Sequence, residues 1–174
     1  MKRTLVFFAV VLLAMQATHT HAQQKLFEVL PDSAEKKLLM GIVALQDIKG
    51  DTCFAWYPAA LKYYKPNAAL VKAFKEKAGQ FSLLIFTGTW CHDSQQITPK
   101  YFACLEAAGI PETAYTIVAT DRHKTTIAHL HSVFQVVNVP TIIVLKNGKE
   151  VGRIEEYGKT GLPDQELAGL MQSL

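Results

Sequence analysis

The sequence predicts an α/β domain whose central mixed sheet is flanked by helices, and three observations predict it. From Asn67 onward, runs of strand length alternate with runs of helical spacing, the arrangement that builds a partly parallel sheet. "FSLLIFT" (Phe81–Thr87) is continuously apolar, as in a central strand buried on both faces. Two more strand-like runs flank Lys146-Asn147-Gly148-Lys149. Asn-Gly supplies the two positive-φ residues of a tight hairpin, which adds an antiparallel edge.

The elements follow in order. Residues 1–22 read as a secretory signal peptide: Lys2 and Arg3, then an apolar run from Leu5 to Met15, then a polar stretch ending at Ala22. That run is too short to span a bilayer comfortably, so export should leave no membrane attachment. Residues 23–66 are expected to form a helical, aromatic N-terminal extension. Within it Leu38, Leu39, Ile42, Val43 and Leu45 recur near helical spacing, which predicts a helix over 32–48 capped by Asp32 or Ser33, with Gly50 as its stop. "CFAWYPAALKYYKP" (Cys53–Pro66) predicts a short helix and turn whose Phe54, Trp56, Tyr57, Tyr63 and Tyr64 lie against the domain.

Residues 67–174 form the main domain. Asn67 caps a helix running to about Ala78. After the strand at 81–87 comes a helix from about His92 to Ala108, bent by Pro99 and stopped by Gly109. "AYTIVATD" (Ala114–Asp121) is a strand and Thr125–Phe134 a helix. The hairpin strands are Thr141–Leu145 and Glu150–Glu155, and Pro163 with Asp164 opens a last helix.

The whole chain has 174 residues and a formal net charge of +3. Cleavage after Ala22 would leave 152 residues carrying +1, enough for one domain with one core. Such a charge gives no basic footprint for nucleic acid. Export, to the periplasm or the medium, implies a disulfide-permissive compartment. Three cysteines are present, Cys53, Cys91 and Cys104, and an odd number in an exported protein points to a free thiol or to intermolecular pairing.

"GTWCHDSQQITP" (Gly88–Pro99) places Cys91 where the apolar strand ends and a helix begins. Sites of open α/β sheets form there, outside the carboxyl ends of the strands. The helix N-terminus, with its partial positive charge and unpaired N–H groups, favours a thiolate over a thiol. Protonated His92 would act the same way, while Asp93 opposes it. Ser94 lies one turn on, so its hydroxyl can face Cys91 and donate to a thiolate, yet it cannot resolve a mixed disulfide. Trp90 walls the thiol. Cys104 sits 13 positions along the same helix, about 20 Å away, too far for a disulfide; core packing is its expected role, while Cys53 could reach Cys91, pair with Cys104, or be buried. Asp121 and Arg122 follow the strand at 114–121, where they could approach the site or form a surface salt bridge. No metal is expected, since His129 and His131 are two apart on a predicted helix and point to different sides.

These residues resemble the thioredoxin superfamily. The shared pattern is the strand Phe81–Thr87, Trp90-Cys91-His92-Asp93-Ser94, Pro99 eight residues after the cysteine, and Val139-Pro140-Thr141 before a hairpin. The resemblance spans Asn67 to Leu174 and extends to exported bacterial thioredoxin-like proteins with a "GTWC-x-DS" site. It implies a thioredoxin-like fold, with Pro140 as a cis proline beside Cys91 and Val139, Pro140 and Thr141 shaping a substrate groove with Trp90, His92 and Asp93. The chain departs from the dithiol pattern twice. Ser94 replaces the resolving cysteine, and Ile85 stands where dithiol members carry a buried acid.

Two functions follow as expectations. The first is a monothiol thiol–disulfide exchange protein lacking the resolving cysteine, with Cys91 as nucleophile and Ser94 as hydrogen-bond donor. It would isomerise or deglutathionylate exported clients, with no cofactor and an external thiol as reductant. The alternative is a non-catalytic binding or chaperone-like module using the same groove.

Overall fold

A computed structural model describes residues 26–174. The expected signal peptide at 1–22 lies outside the described residues. Six strands form one sheet: β1 (Phe27–Asp32), β2 (Lys36–Val43), β3 (Ser82–Thr87), β4 (Tyr115–Ala119), β5 (Thr141–Lys146) and β6 (Lys149–Glu155), in the order β1-β2-β4-β3-β5-β6. Only β3 and β4 pair in parallel; the other neighbours are antiparallel. The sheet is therefore mixed, as its sequence pattern requires. Asn147 and Gly148 both take positive φ in the β5–β6 turn.

Helices α1 (Leu45–Lys49), α2 (Trp56–Leu61), α3 (Ala68–Glu76), α4 (His92–Ala108), α5 (Leu130–Val133) and α6 (Pro163–Gln172) complete the chain. Asn67 caps α3, its Oδ1 accepting the Ala69 and Leu70 amides. Helix α4 runs unbroken through Pro99 and ends on left-handed Gly109. Successive strand residues face opposite sides of the sheet, and β3 shows the consequence. Ile85 joins a large core with Phe74, Tyr101, Phe102 and Leu167, while Phe86 joins a smaller cluster with Val118, Val136, Val139 and Ile143. Trp90 and Cys91 pack against the smaller cluster. Among the described residues, no helix is long and apolar enough to cross a membrane.

The N-terminal extension differs from the expected helix over 32–48. That stretch holds the end of a β-hairpin, β1–β2, and only then the short helix α1. Two physical reasons account for it. Asp32 does accept the amides two and three residues on, at 3.0 and 2.8 Å, as an N-cap would, but here the bonds close the hairpin turn. Gly41 sits at φ 127, outside the helical region, and a Cβ there would lie 2.4 Å from the Leu26 carbonyl oxygen. The apolar run at 38–43 thus belongs to a strand paired on both edges, to β1 and β4.

The aromatic stretch after it packs largely as expected. Phe54 and Tyr57 are buried, and Trp56 and Tyr64 lie against the core, but Tyr63 is 85 % exposed. The helix expected over 125–134 is shortened. Ala128 and His129 adopt left-handed backbone, so a single 3-10 turn precedes α5. This break also brings the rings of His129 and His131 to 6.1 Å, instead of turning them to different sides.

Candidate thiol site at the start of the long helix

Cys91 is the N-cap of α4, partly exposed, with extended backbone at φ −89 and ψ 122. Its N–H donates to the Gly88 carbonyl at 3.0 Å, and its carbonyl accepts the Gln95 N–H at 2.9 Å. Its side chain forms no capping bond. The thiol instead donates to the Val139 carbonyl at 3.3 Å. The Val139–Pro140 peptide bond is cis. Gly88 permits the close packing here, because a Cβ on it would lie 2.9 Å from the Trp90 ring and 3.1 Å from the Cys91 Cβ.

The other sequence-predicted residues take unequal parts. Trp90 stands beside it, its Nε1–H donating to the Thr120 carbonyl at 2.8 Å. His92 is exposed. Asp93 accepts the Tyr157 hydroxyl at 3.0 Å, and this holds the Tyr157 phenol above its ordinary value. Ser94 is fully buried, and its Oγ accepts the Gly88 N–H at 3.1 Å. Its acceptor side is thus committed to the strand end, where an inward-facing amide needs a partner. Thr141 is buried and donates to the Asn138 carbonyl at 2.7 Å, while Glu156 N–H donates to the Pro140 carbonyl at 2.7 Å.

Buried polar side chains around the start of α4 bond one another and the backbone. Gln95 Nε2 donates to the Thr89 carbonyl at 2.9 Å, Thr89 Oγ1 accepts the Leu39 N–H at 3.1 Å, and the Thr87 and Thr98 hydroxyls lie 3.1 Å apart. Ile85 is 0 % exposed and belongs to the large core, whereas Cys91 packs against the smaller cluster.

Sequence reasoning gave no role to Thr120, Gln95 or Tyr157. Tyr157 lies 64 residues from its partner in the chain and carried no local signal. Arg122 was a candidate, and it is used twice. It is paired with Asp32 through Nε and Nη2 at 2.5 and 2.9 Å, and its guanidinium lies 5.4 Å from the centroid of the Trp90 ring. The Arg122 guanidinium holds the Asp32 carboxyl well below the usual carboxylate range. Asp121 instead closes a local turn, accepting from the Thr125 N–H and hydroxyl.

All three cysteines are free. Cys104 is fully buried, 3.3 Å from the Tyr64 hydroxyl, and burial pushes its thiol up. Cys53 lies in the 3-10 turn before α2, its N–H held by Asp51. Among the described residues, no three His, Cys, Asp or Glu side chains form a group able to hold a metal ion.

The family model for thioredoxin matches residues 67–169, more than half of the chain. The chain belongs to the thioredoxin family. That membership indicates redox or thiol–disulfide function in general terms, and the α/β fold is the family's. Among solved structures, a protein of unknown function from Pseudomonas aeruginosa is 15 % identical, with a TM-score of 0.49 over 75 % of this chain and 87 % of its own. A Fasciola hepatica thioredoxin is 23 % identical, with a TM-score of 0.38 over 57 % of this chain and 89 % of its own. Mitochondrial thioredoxin 3 of Saccharomyces cerevisiae is 16 % identical, with a TM-score of 0.40 over 68 % of this chain and 99 % of its own. A sequence search among curated proteins finds no match.

Proposed function

We propose that this is an exported, periplasmic or secreted, monothiol thiol–disulfide exchange protein acting through Cys91. The observation that carries the reading is a partly exposed cysteine at the N-cap of a 17-residue helix, with a buried serine at the position one turn on. An N-cap side chain sits where it can accept from the amides of the first turn. As a thiolate the sulfur gives up its bond to the Val139 carbonyl and can turn to those amides, whose dipoles favour negative charge.

The reaction then balances in two exchanges. The Cys91 thiolate attacks one sulfur of a client disulfide or glutathione mixed disulfide; a new S–S bond forms and the other sulfur leaves as a thiolate. An external thiolate, small or protein-borne, attacks that mixed disulfide, carries off the client sulfur in a new disulfide and returns Cys91 as a thiolate. Ser94 cannot perform the second step, and its O–H proton can serve as donor toward the sulfur. Trp90, His92, Asp93, Val139, Pro140 and Thr141 line the groove through which the client sulfur approaches. No cofactor takes part.

One observation favours the alternative, a binding or chaperone-like module. The resting thiol is engaged as a donor to the Val139 carbonyl. Client capture under non-reducing conditions separates the two. With Cys53 and Cys104 replaced, the protein should trap clients as adducts that a reductant releases, and the further change Cys91→Ala should abolish capture. Equal capture with and without Cys91 would leave only the binding module.

A further inference from the structure

The β1–β2 hairpin lies outside the family-matched residues, yet one of its side chains reaches the wall of the thiol groove. Asp32 ends β1 with its side chain only 4 % exposed. Its two oxygens take Arg122 in a two-point fork, a geometry that fixes the plane of the guanidinium as well as its position. That guanidinium lies over the Trp90 ring at 5.4 Å, and the indole is pinned on its edge by Thr120. Gly88 packs close to the same ring, since a Cβ on it would lie 2.9 Å from the indole. The ring is thus held at its edge by Thr120 and on one face by Arg122, and Asp32 controls that face.

We infer that Asp32 is a positioning residue for exchange at Cys91: through Arg122 it locks Trp90 as a rigid wall that orients a bulky peptide disulfide toward the sulfur. The inference rests on the exchange reading above. A small disulfide needs no such wall, so the clamp acts on selectivity between peptide and small disulfides and leaves the intrinsic reactivity of the thiol alone. Asp32 serves the fork and the hairpin turn together, which couples the added hairpin to the family's site.

The test uses Trp56→Phe as background, leaving Trp90 as the sole tryptophan. Asp32→Asn keeps an oxygen for the turn amides but removes the charge and one acceptor of the fork. Acrylamide quenching of Trp90 should rise about twofold, and exchange with a peptide disulfide should slow about threefold, the size of one stacked cation with its exposed ion pair. Exchange with hydroxyethyl disulfide should stay within about twofold on the same grounds. Arg122→Leu should reproduce these changes, and the two substitutions together should do no more than either alone. Asp32→Glu should restore the wild-type values; Arg122→Lys should not, because lysine has no planar fork.

Unchanged quenching in both single variants would overturn the inference. So would an Asp32→Asn effect that persists in full without Arg122, or equal slowing with both disulfides. Should Asp32→Asn fail to fold, Arg122→Leu leaves the turn untouched and carries the test. A wild type that exchanges with neither disulfide would refute the function of Cys91, while quenching would still read the clamp.

Discussion

Helix α4 carries two cysteines, one at its N-cap and one within its length, and the two sulfurs live in opposite surroundings. Cys91, at the N-cap, is partly exposed, beside a tryptophan and against the smaller apolar cluster. Cys104, more than three turns on, is fully buried, with the Tyr64 hydroxyl and the Asn67 backbone as polar company. The helix dipole helps at its first turn and has faded by the middle. Desolvation works the other way and dominates at Cys104. One helix thus holds one sulfur partly exposed and buries the other as a small apolar side chain, and placement alone decides which.

The largest break in this comparison is kinetic. At neutral pH iodoacetamide should label Cys91 about a hundredfold faster than Cys104, because labelling of a buried thiol waits on opening of the fold. Peptide mapping over a time course reads both rates at once. Comparable rates would remove the distinction between the two ends.

Next in size are the buried polar side chains in the first turn of α4. Gln95→Ala leaves the Thr89 carbonyl without its donor in a buried setting, which should cost about 1–3 kcal/mol in urea unfolding. Ser94→Cys places a second thiol one turn from the first and trades a Gly88 bond for a weaker one, at about 1 kcal/mol. The gain should be insulin reductase activity absent from the wild type. Failure to gain it would mean the groove no longer holds dithiol geometry.

The smallest effect belongs to Cys104. Its thiol is raised by burial, so in the folded state it keeps its proton where the unfolded chain loses it. Stability from this group is therefore full below the unfolded value, about 8.5, and declines as pH rises from there toward the folded value. Cys104→Ala should flatten that alkaline decline by at most about 1.4 kcal/mol per pH unit. An unchanged slope would assign the decline elsewhere, with Tyr64 and Tyr101, both raised first by desolvation, as the next groups to replace.

Most of the domain from Asn67 onward was legible because its signals are local. Asn67 at a cap, the apolar Leu83–Phe86 run as a strand, Gly109 as a left-handed stop and Asn147-Gly148 as a turn each declare one conformation within a few residues. The hairpin at 27–43 was not, since Asp32 offers the same capping oxygens to a helix and to a turn. Leu38, Leu39, Ile42 and Val43 are apolar on both faces because β2 is an inner strand, which erases the period-two signature. Gly41 was the available clue, as a glycine in an apolar run marks a close backbone approach. Within the site, Cys91 and Trp90 could be placed from their position between strand and helix. Tyr157 and the Asp32–Arg122 fork could not, because such pairs are joined only by the fold.

The proposed exchange requires a single thiol to complete its reaction with outside help. With Cys53 and Cys104 replaced, incubation with oxidised glutathione followed by intact mass spectrometry reads this directly. The protein should gain one glutathionyl group, lose it on addition of a small thiol, and gain none when Cys91 is also replaced by alanine. An unmodified mass, or an adduct that survives the added thiol under native conditions, would contradict the mechanism.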